Sequence, residues 1–167
     1  TLAASVDINS IKVLTIKKAG EPISYTEISK CGLSDDTKYF LQRWLDITKS
    51  ILLFAKGILL VEGIVEALVI KELAPYILRK LKSNTPQNLY LSNFEEYGIS
   101  IINLNGIYFN HFMAPFKGYV NNAGGAITQC DYIPIKCAGL TDNDPDTAAA
   151  PTPLAPVGGN NAQLYMI

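Results

Sequence analysis

No basic excess marks this chain: 14 Lys and Arg stand against 15 Asp and Glu, for a net charge of −1 and a pI near 5.8. The electrostatic footprint of a dedicated nucleic-acid binder is missing, so any DNA contact would rest on local basic patches, metal ions or another domain. Cysteine is scarce too. Cys31, Cys130 and Cys137 are odd in number and form no C-x-x-C pair, which argues against a disulfide framework or a structural zinc site and for a reducing cytoplasm. His111 is the only histidine, and between Phe109, Phe112 and Met113 it reads as a structural or surface residue rather than a ligand. Neither G-x-S-x-G nor G-x-G-x-x-G occurs, which removes a hydrolase elbow and a dinucleotide site. No signal segment is visible and the first residue is Thr1, so a fragment or a processed chain is expected.

A membrane span is excluded on energetic grounds. Ile51 to Ile70 is a mostly apolar stretch of 20 residues, but it contains Lys56, Glu62 and Glu66 as well as Gly57 and Gly63. Charges near the middle of a spanning helix cost roughly 2.5–3.5 kcal/mol each on insertion scales. A helix end, a buried strand and a second helix fit the same residues better.

What is present is the composition of a globular protein on the apolar side, 49% hydrophobic and 17% charged. Ile11 to Ile16 has strand propensity, and Ile23 to Ile28, after the punctuation Gly20-Glu-Pro22, closes a hairpin with it. Ser34 is a good N-cap with Asp35 and Asp36 behind it, so a helix is predicted through Phe40, Leu41, Trp44 and Leu45 towards Phe54, with Trp44 in the core or an interface. Ile58-Leu-Leu-Val61 is a continuous apolar run, as a strand covered on both faces requires, and Gly63 after Glu62 allows a sharp turn. Ile64, Leu68, Val69 and Leu73 then recur at helical spacing, placing Glu66 in a helix's first turn and predicting a kink or break at Pro75. Arg79, Lys80 and Lys82 complement the C-terminal end of that helix.

A short helical stretch within Leu89 to Tyr97 precedes a second buried strand, Gly98 to Asn105, which ends in Asn105-Gly106. A helix from about Ile107 to Phe116, a loop from Lys117 to Asp131 and a third buried strand from Tyr132 to Leu140 follow. Thr147 to Asn161, rich in Ala, Pro and Gly, reads as a flexible segment. Strand–helix–strand–helix–strand predicts an α/β fold with a parallel sheet and right-handed crossovers.

In such a sheet, ligands bind at the carboxyl ends of the strands. The predicted strands end in Glu62-Gly63, Asn105-Gly106 and Asp142-x-Asp144; if the first and third are neighbours, Glu62, Glu66, Asp142 and Asp144 converge. Like charges at short range need a counter-charge, and hard oxygen donors favour Mg²⁺ or Mn²⁺ over zinc. Each half is unspecific alone. A D-x-D before proline is more often a solvated turn, and an acidic residue in a helix's first turn usually complements the dipole. An EF-hand is excluded, because Pro153 would stand where its bidentate Glu belongs.

The segments Phe54-Ala-Lys-Gly-Ile-Leu-Leu-Val-Glu-Gly-Ile-Val-Glu-Ala67, Ile101-Ile-Asn-Leu-Asn-Gly106 and Leu140-Thr-Asp-Asn-Asp144, in that order, resemble the Toprim domain of OLD-family (overcoming lysogenization defect) ATP-dependent endonucleases. Thr1 to Leu14 looks like the last segment of that family's ABC-type ATPase domain. The resemblance implies a Toprim, Rossmann-like sheet flanked by helices and a metal-dependent nuclease acting on DNA. Glu62, Glu66, Asp142 and Asp144 would be metal ligands, with Glu62, Asp142 and Asp144 catalytic. Gly63 and Gly106 would allow close approach of backbone and phosphate.

The implied organisation is residues 1–33 as the end of the ATPase domain, 34–56 as a linking or dimerisation helix, 57–146 as the Toprim domain, and 147–167 as the flexible segment. The family's linking region supports dimerisation, so the resemblance allows a homodimer. Without a G-x-x-x-x-G-K-[ST], ATP is expected only on a missing N-terminal ATPase domain. The family's further catalytic Glu and basic residue downstream of D-x-D have no match, so the Toprim domain is expected to be truncated and the fragment itself weakly active or inactive. The alternatives are a catalytically silent Toprim module for DNA binding or assembly and a primase- or topoisomerase-like enzyme, the latter disfavoured by the ATPase-like N-terminal segment.

Overall fold

The computed structural model describes residues 5–16, 20–45, 49–83, 93–141 and 165–166. Its elements in chain order are β1 (Lys12–Thr15), β2 (Ser24–Glu27), α1 (Asp35–Trp44), β3 (Gly57–Val61), α2 (Ile64–Ser83) and β4 (Ile99–Asn103). They continue as α3 (Phe109–Met113), β5 (Tyr119–Asn121), β6 (Ile127–Gln129), β7 (Lys136–Leu140) and β8 (Tyr165–Met166). The chain divides into two units, one of Thr1–Ala55 with Asn110–Lys136 and Ile167, the other of Lys56–Phe109 with Cys137–Met166.

In the first unit β1 and β2 form the expected antiparallel hairpin, with Lys12 opposite Glu27 and Thr15 opposite Ser24. Ser34 caps α1 as its sequence predicts, its Oγ accepting the Thr37 N–H at 3.2 Å. The α-helix stops at Trp44, short of the expected run to Phe54, and Ser50–Leu53 is a separate 3-10 turn. Burial explains the break: Thr37, Leu41 and Leu45 form one stripe, and a continued helix would turn Ser50 away from it, yet Ser50 is buried. The predicted loop at Lys117–Asp131 contains a hairpin, β5 against β6, with Asn121 opposite Ile127. Gly124 and Gly125, at φ 87° and 82°, make its tight turn, and the Asn122 N–H donates to the Ala126 carbonyl. Residues 132–135 are not strand as expected; Ile133 donates its N–H to Pro115, and the run belongs to this unit. Pro115 also ends the α-helical part of the expected Ile107–Phe116 helix at Met113, and Ala114–Phe116 is a 3-10 turn.

The second unit holds one sheet, ordered β4-β3-β7-β8, so the first and third predicted strands are neighbours. β3 and β4 run parallel, Gly57 opposite Ile99 and Val61 opposite Asn103, within a three-stranded parallel arrangement; β8 pairs antiparallel with β7. This is the mixed α/β, Rossmann-like arrangement expected. β3 is central, and Leu60 and Val61 have no solvent exposure. α2 packs on β3 and β4 and is continuous through Pro75. Of the predicted kink or break, the break does not occur, because a single lost N–H leaves the rest of a long, packed helix intact. Ala74 is buried and Ala67, Ile70 and Leu78 are half-buried, while Ile64, Leu68, Val69 and Leu73 of the apolar repeat lie exposed, with Tyr76 and Ile77. Residues 93–97, the described part of the expected Leu89–Tyr97 helix, form a turn in which Asn93 Oδ1 accepts the Glu96 N–H. The segment expected to be flexible, Thr147 to Asn161, lies outside the described residues.

Candidate functional site

The site begins where β3 ends. The parallel ladder continues past both strands, with Leu104 N–H donating to Val61 at 2.9 Å and Gly106 N–H to the Glu62 carbonyl at 3.0 Å. For the chain after β4 to follow β3 this far it must enter the left-handed region at Asn105, φ 53°, the one non-glycine with positive φ among the described residues. Asparagine tolerates that conformation because its short side chain bonds locally. Here Asn103 Oδ1 accepts the Asn105 N–H, and Asn103 Nδ2 donates to Asn105 Oδ1, both at 2.9 Å. Gly106 follows at φ 143°, where an added Cβ would also stand 2.9 Å from the Tyr108 ring.

From the other side, the Thr141 hydroxyl, just past β7, donates to Glu62 Oε2 at 2.5 Å. Glu62 is therefore held where three strands terminate: by its own strand, through its carbonyl by the turn after β4, and through its half-buried carboxylate by Thr141. Four residues on, Glu66 turns back along the first turn of α2. Its Oε2 accepts the Gly63 N–H at 2.9 Å, while the Gly63 carbonyl accepts the Ala67 N–H. This is the glutamate half of a capping box, with glycine as N-cap and its carbonyl accepting the helix's first main-chain bond. The chain bends at Glu62 and Gly63 between β3 and α2 as expected, with Gly63 outside the left-handed region. A Cβ there would lie 2.8 Å from Glu66 Oε2, and close approach of the carboxylate is what requires glycine.

Asp142 and Asp144 lie outside the described residues, and Asp142 follows Thr141 directly in the chain. Among the described residues no three His, Cys, Asp or Glu side chains are grouped to hold a metal ion. Sequence reasoning missed Thr141 and the Asn103–Asn105 turn. The turn has a readable signal in Asn-x-Asn-Gly; Thr141 has none beyond its place before D-x-D. His111 is structural, as expected: its Nδ1 is 3.0 Å from the Thr37 hydroxyl, and its ring stacks on Phe40 with centroids 4.5 Å apart. Trp44 is half-buried, stacks on Phe40 at 5.7 Å and lies under the Lys49 ammonium at 4.9 Å. All three cysteines are free.

A parallel sheet that delivers a glutamate to the meeting point of its strand ends, with a second glutamate capping the helix behind it, is the framework of a Toprim domain, a metal-binding module of nuclease and primase type. Residues 53–144, more than half of the chain, match the family model described as overcoming lysogenization defect protein-like, TOPRIM domain, and the chain belongs to that family. Neither the curated proteins nor the solved structures give a match. Toprim domains bind divalent metals such as Mg²⁺ and act on nucleic acids. No helix among the described residues is long and apolar enough to cross a membrane.

Proposed function

We propose that this chain is the nuclease part of an OLD-like, ATP-dependent endonuclease that nicks or cuts DNA phosphodiester bonds with Mg²⁺ or Mn²⁺. The observation that carries the reading is the fixed carboxylate of Glu62 at the strand ends of a Toprim-family sheet. Glu62 and Glu66, with Asp142 and Asp144 as the proposed remaining ligands, supply hard carboxylate oxygens only, a donor set suited to those ions and not to zinc. Glu62 and Glu66 each have Oε2 engaged by a donor among the described residues, and Oε1 of each is proposed to face a cation. A bound divalent cation supplies charge neutralisation at the phosphodiester. Glu62 is also proposed to serve in proton transfer at the reacting centre. Gly63 and Gly106 are proposed to allow close approach of backbone and phosphate at this corner.

ATP belongs, in this reading, to an ATPase domain outside this chain, with residues 1–33 as its last segment, 34–56 as the link and a homodimer as the assembly. The test is nicking of supercoiled plasmid by the whole protein with Mg²⁺ or Mn²⁺. Glu62→Ala and Asp142→Ala should each abolish it; if both nick like wild type, the assignment fails. No metal binding at all in a calorimetric titration would instead favour a catalytically silent module for DNA binding or assembly.

A further inference from the structure

Among the described residues Thr141 is the one side chain outside β3 that bonds the Glu62 carboxylate. Two facts make this contact more than a packing detail. Glu62 has three side-chain torsions, and a half-buried carboxylate at a strand end has several rotamers open to it unless a partner selects one. The partner comes from the neighbouring strand β7, not from Glu62's own turn, so the bond crosses from one strand end to the next. Thr is also stiff at χ1, since its branched Cβ leaves the hydroxyl few directions. A donor of that kind fixes an acceptor better than Ser or Lys would.

We propose that Thr141 is a positioning residue for Glu62: its hydroxyl engages Oε2 and thereby directs Oε1 as the oxygen available to a hard divalent cation. The inference rests on the metal-dependent reading above. It extends that reading by assigning orientation of the carboxylate to a residue that cannot itself be the acid, the base or a charged ligand. Groups bonded to a ligand's second atom typically alter metal affinity by about 10–100-fold when removed. The substitution that isolates the hydroxyl is Thr141→Val, nearly isosteric and without a donor, and Thr141→Ser restores the donor.

The experiment uses the whole protein in two arms. In the first, metal-free protein carries glutamate labelled with ¹³C at the side-chain carboxyl, the Glu62 signal being assigned by its loss in Glu62→Gln. Thr141→Val should move that signal and Thr141→Ser should return it towards its wild-type position. In the second, MnCl₂ is titrated calorimetrically into the same variants, with a melting temperature for each. Thr141→Val should weaken Mn²⁺ about tenfold at a nearly unchanged melting temperature, and Thr141→Ser should recover most of the affinity. Wild-type affinity in Thr141→Val, or equal weakening in Val and Ser variants, overturns the proposal. An unmoved carboxyl signal in Thr141→Val overturns it as well. A wild-type protein that takes up no Mn²⁺ refutes the metal reading, and with it the cation half of this proposal; the carboxyl signal then decides the clamp alone.

Discussion

Replacing Gly63 by alanine tests the corner at its tightest point. The new methyl would stand 2.8 Å from Glu66 Oε2, closer than a carbon and an oxygen can rest, and the atom in its way ends a flexible side chain. Glu66 therefore gives way and the 2.9 Å bond to the Gly63 N–H is lost. That half-exposed, charge-assisted cap contributes about 1 kcal/mol. Alanine is also a poorer N-cap than glycine by about 0.5 kcal/mol, and the stiffer unfolded chain offsets about the same amount. Gly63→Ala should thus cost about 1 kcal/mol in the wild-type background, a drop of roughly 2–4 °C in melting temperature for a chain of this size. With Glu66→Ala already present there is no cap left to lose, and the same substitution should be close to neutral. Urea unfolding of wild type, both single variants and the double variant gives the coupling directly. Equal losses in both backgrounds would refute the account of Gly63 as the seat of a carboxylate cap.

Other outcomes follow from the thiols and the hairpin. Burial, and next the neighbouring Cys130 and Asp131, push the Cys31 thiol up to about 12, and burial does the same for Cys137. Roughly one thiol in ten thousand is then ionised at pH 8, so neither should react with an aromatic disulfide reagent in native protein, while all three cysteines should react in denaturant. Rapid native labelling of Cys137 would contradict the burial. Glu27 is held below the ordinary glutamate value, chiefly by its hydrogen bond to Lys30 and then by the nearby Lys12 charge. A depressed carboxylate contributes stability above its unfolded value and loses it as pH falls through the folded one. Glu27→Gln should therefore lower the urea midpoint at pH 7 relative to wild type and leave it nearly unchanged at pH 3, the difference shrinking in high salt.

The elements that carry the site were the most legible ones. β3 was readable because a strand buried on both faces needs an unbroken apolar run, and the start of α2 because the repeat changed from continuous to helical after Gly63; β4, expected to be buried, is a mostly half-buried edge strand. Ser34 was readable as a cap because the interaction is local. Legibility failed where a distant partner decides. The orientation of α2 could not be read, since its apolar repeat is exposed and the small Ala74 is the buried position. Tyr132–Ile135 stay outside β7, with Ile133 donating its N–H to the Pro115 carbonyl, a partner invisible in those residues themselves. At the site, the two glutamates were legible as residues but not as roles. That Glu66 caps the helix and that Thr141 holds Glu62 both depend on side-chain directions, which residue spacing does not encode.

The ladder bond from Gly106 to the Glu62 carbonyl makes the two flanks of this corner unequal in compliance. Towards β4, Glu62 is tied by main chain, and moving it would mean unzipping the parallel pair from its end. Towards β7 the side-chain tie among the described residues is the Thr141 hydroxyl. Any adjustment of the corner to the size of an ion or the width of a bound strand falls on the β7 flank. Variation in the tolerance of this corner for different ions should accordingly track position 141, with the turn at 103–106 acting as the fixed wall.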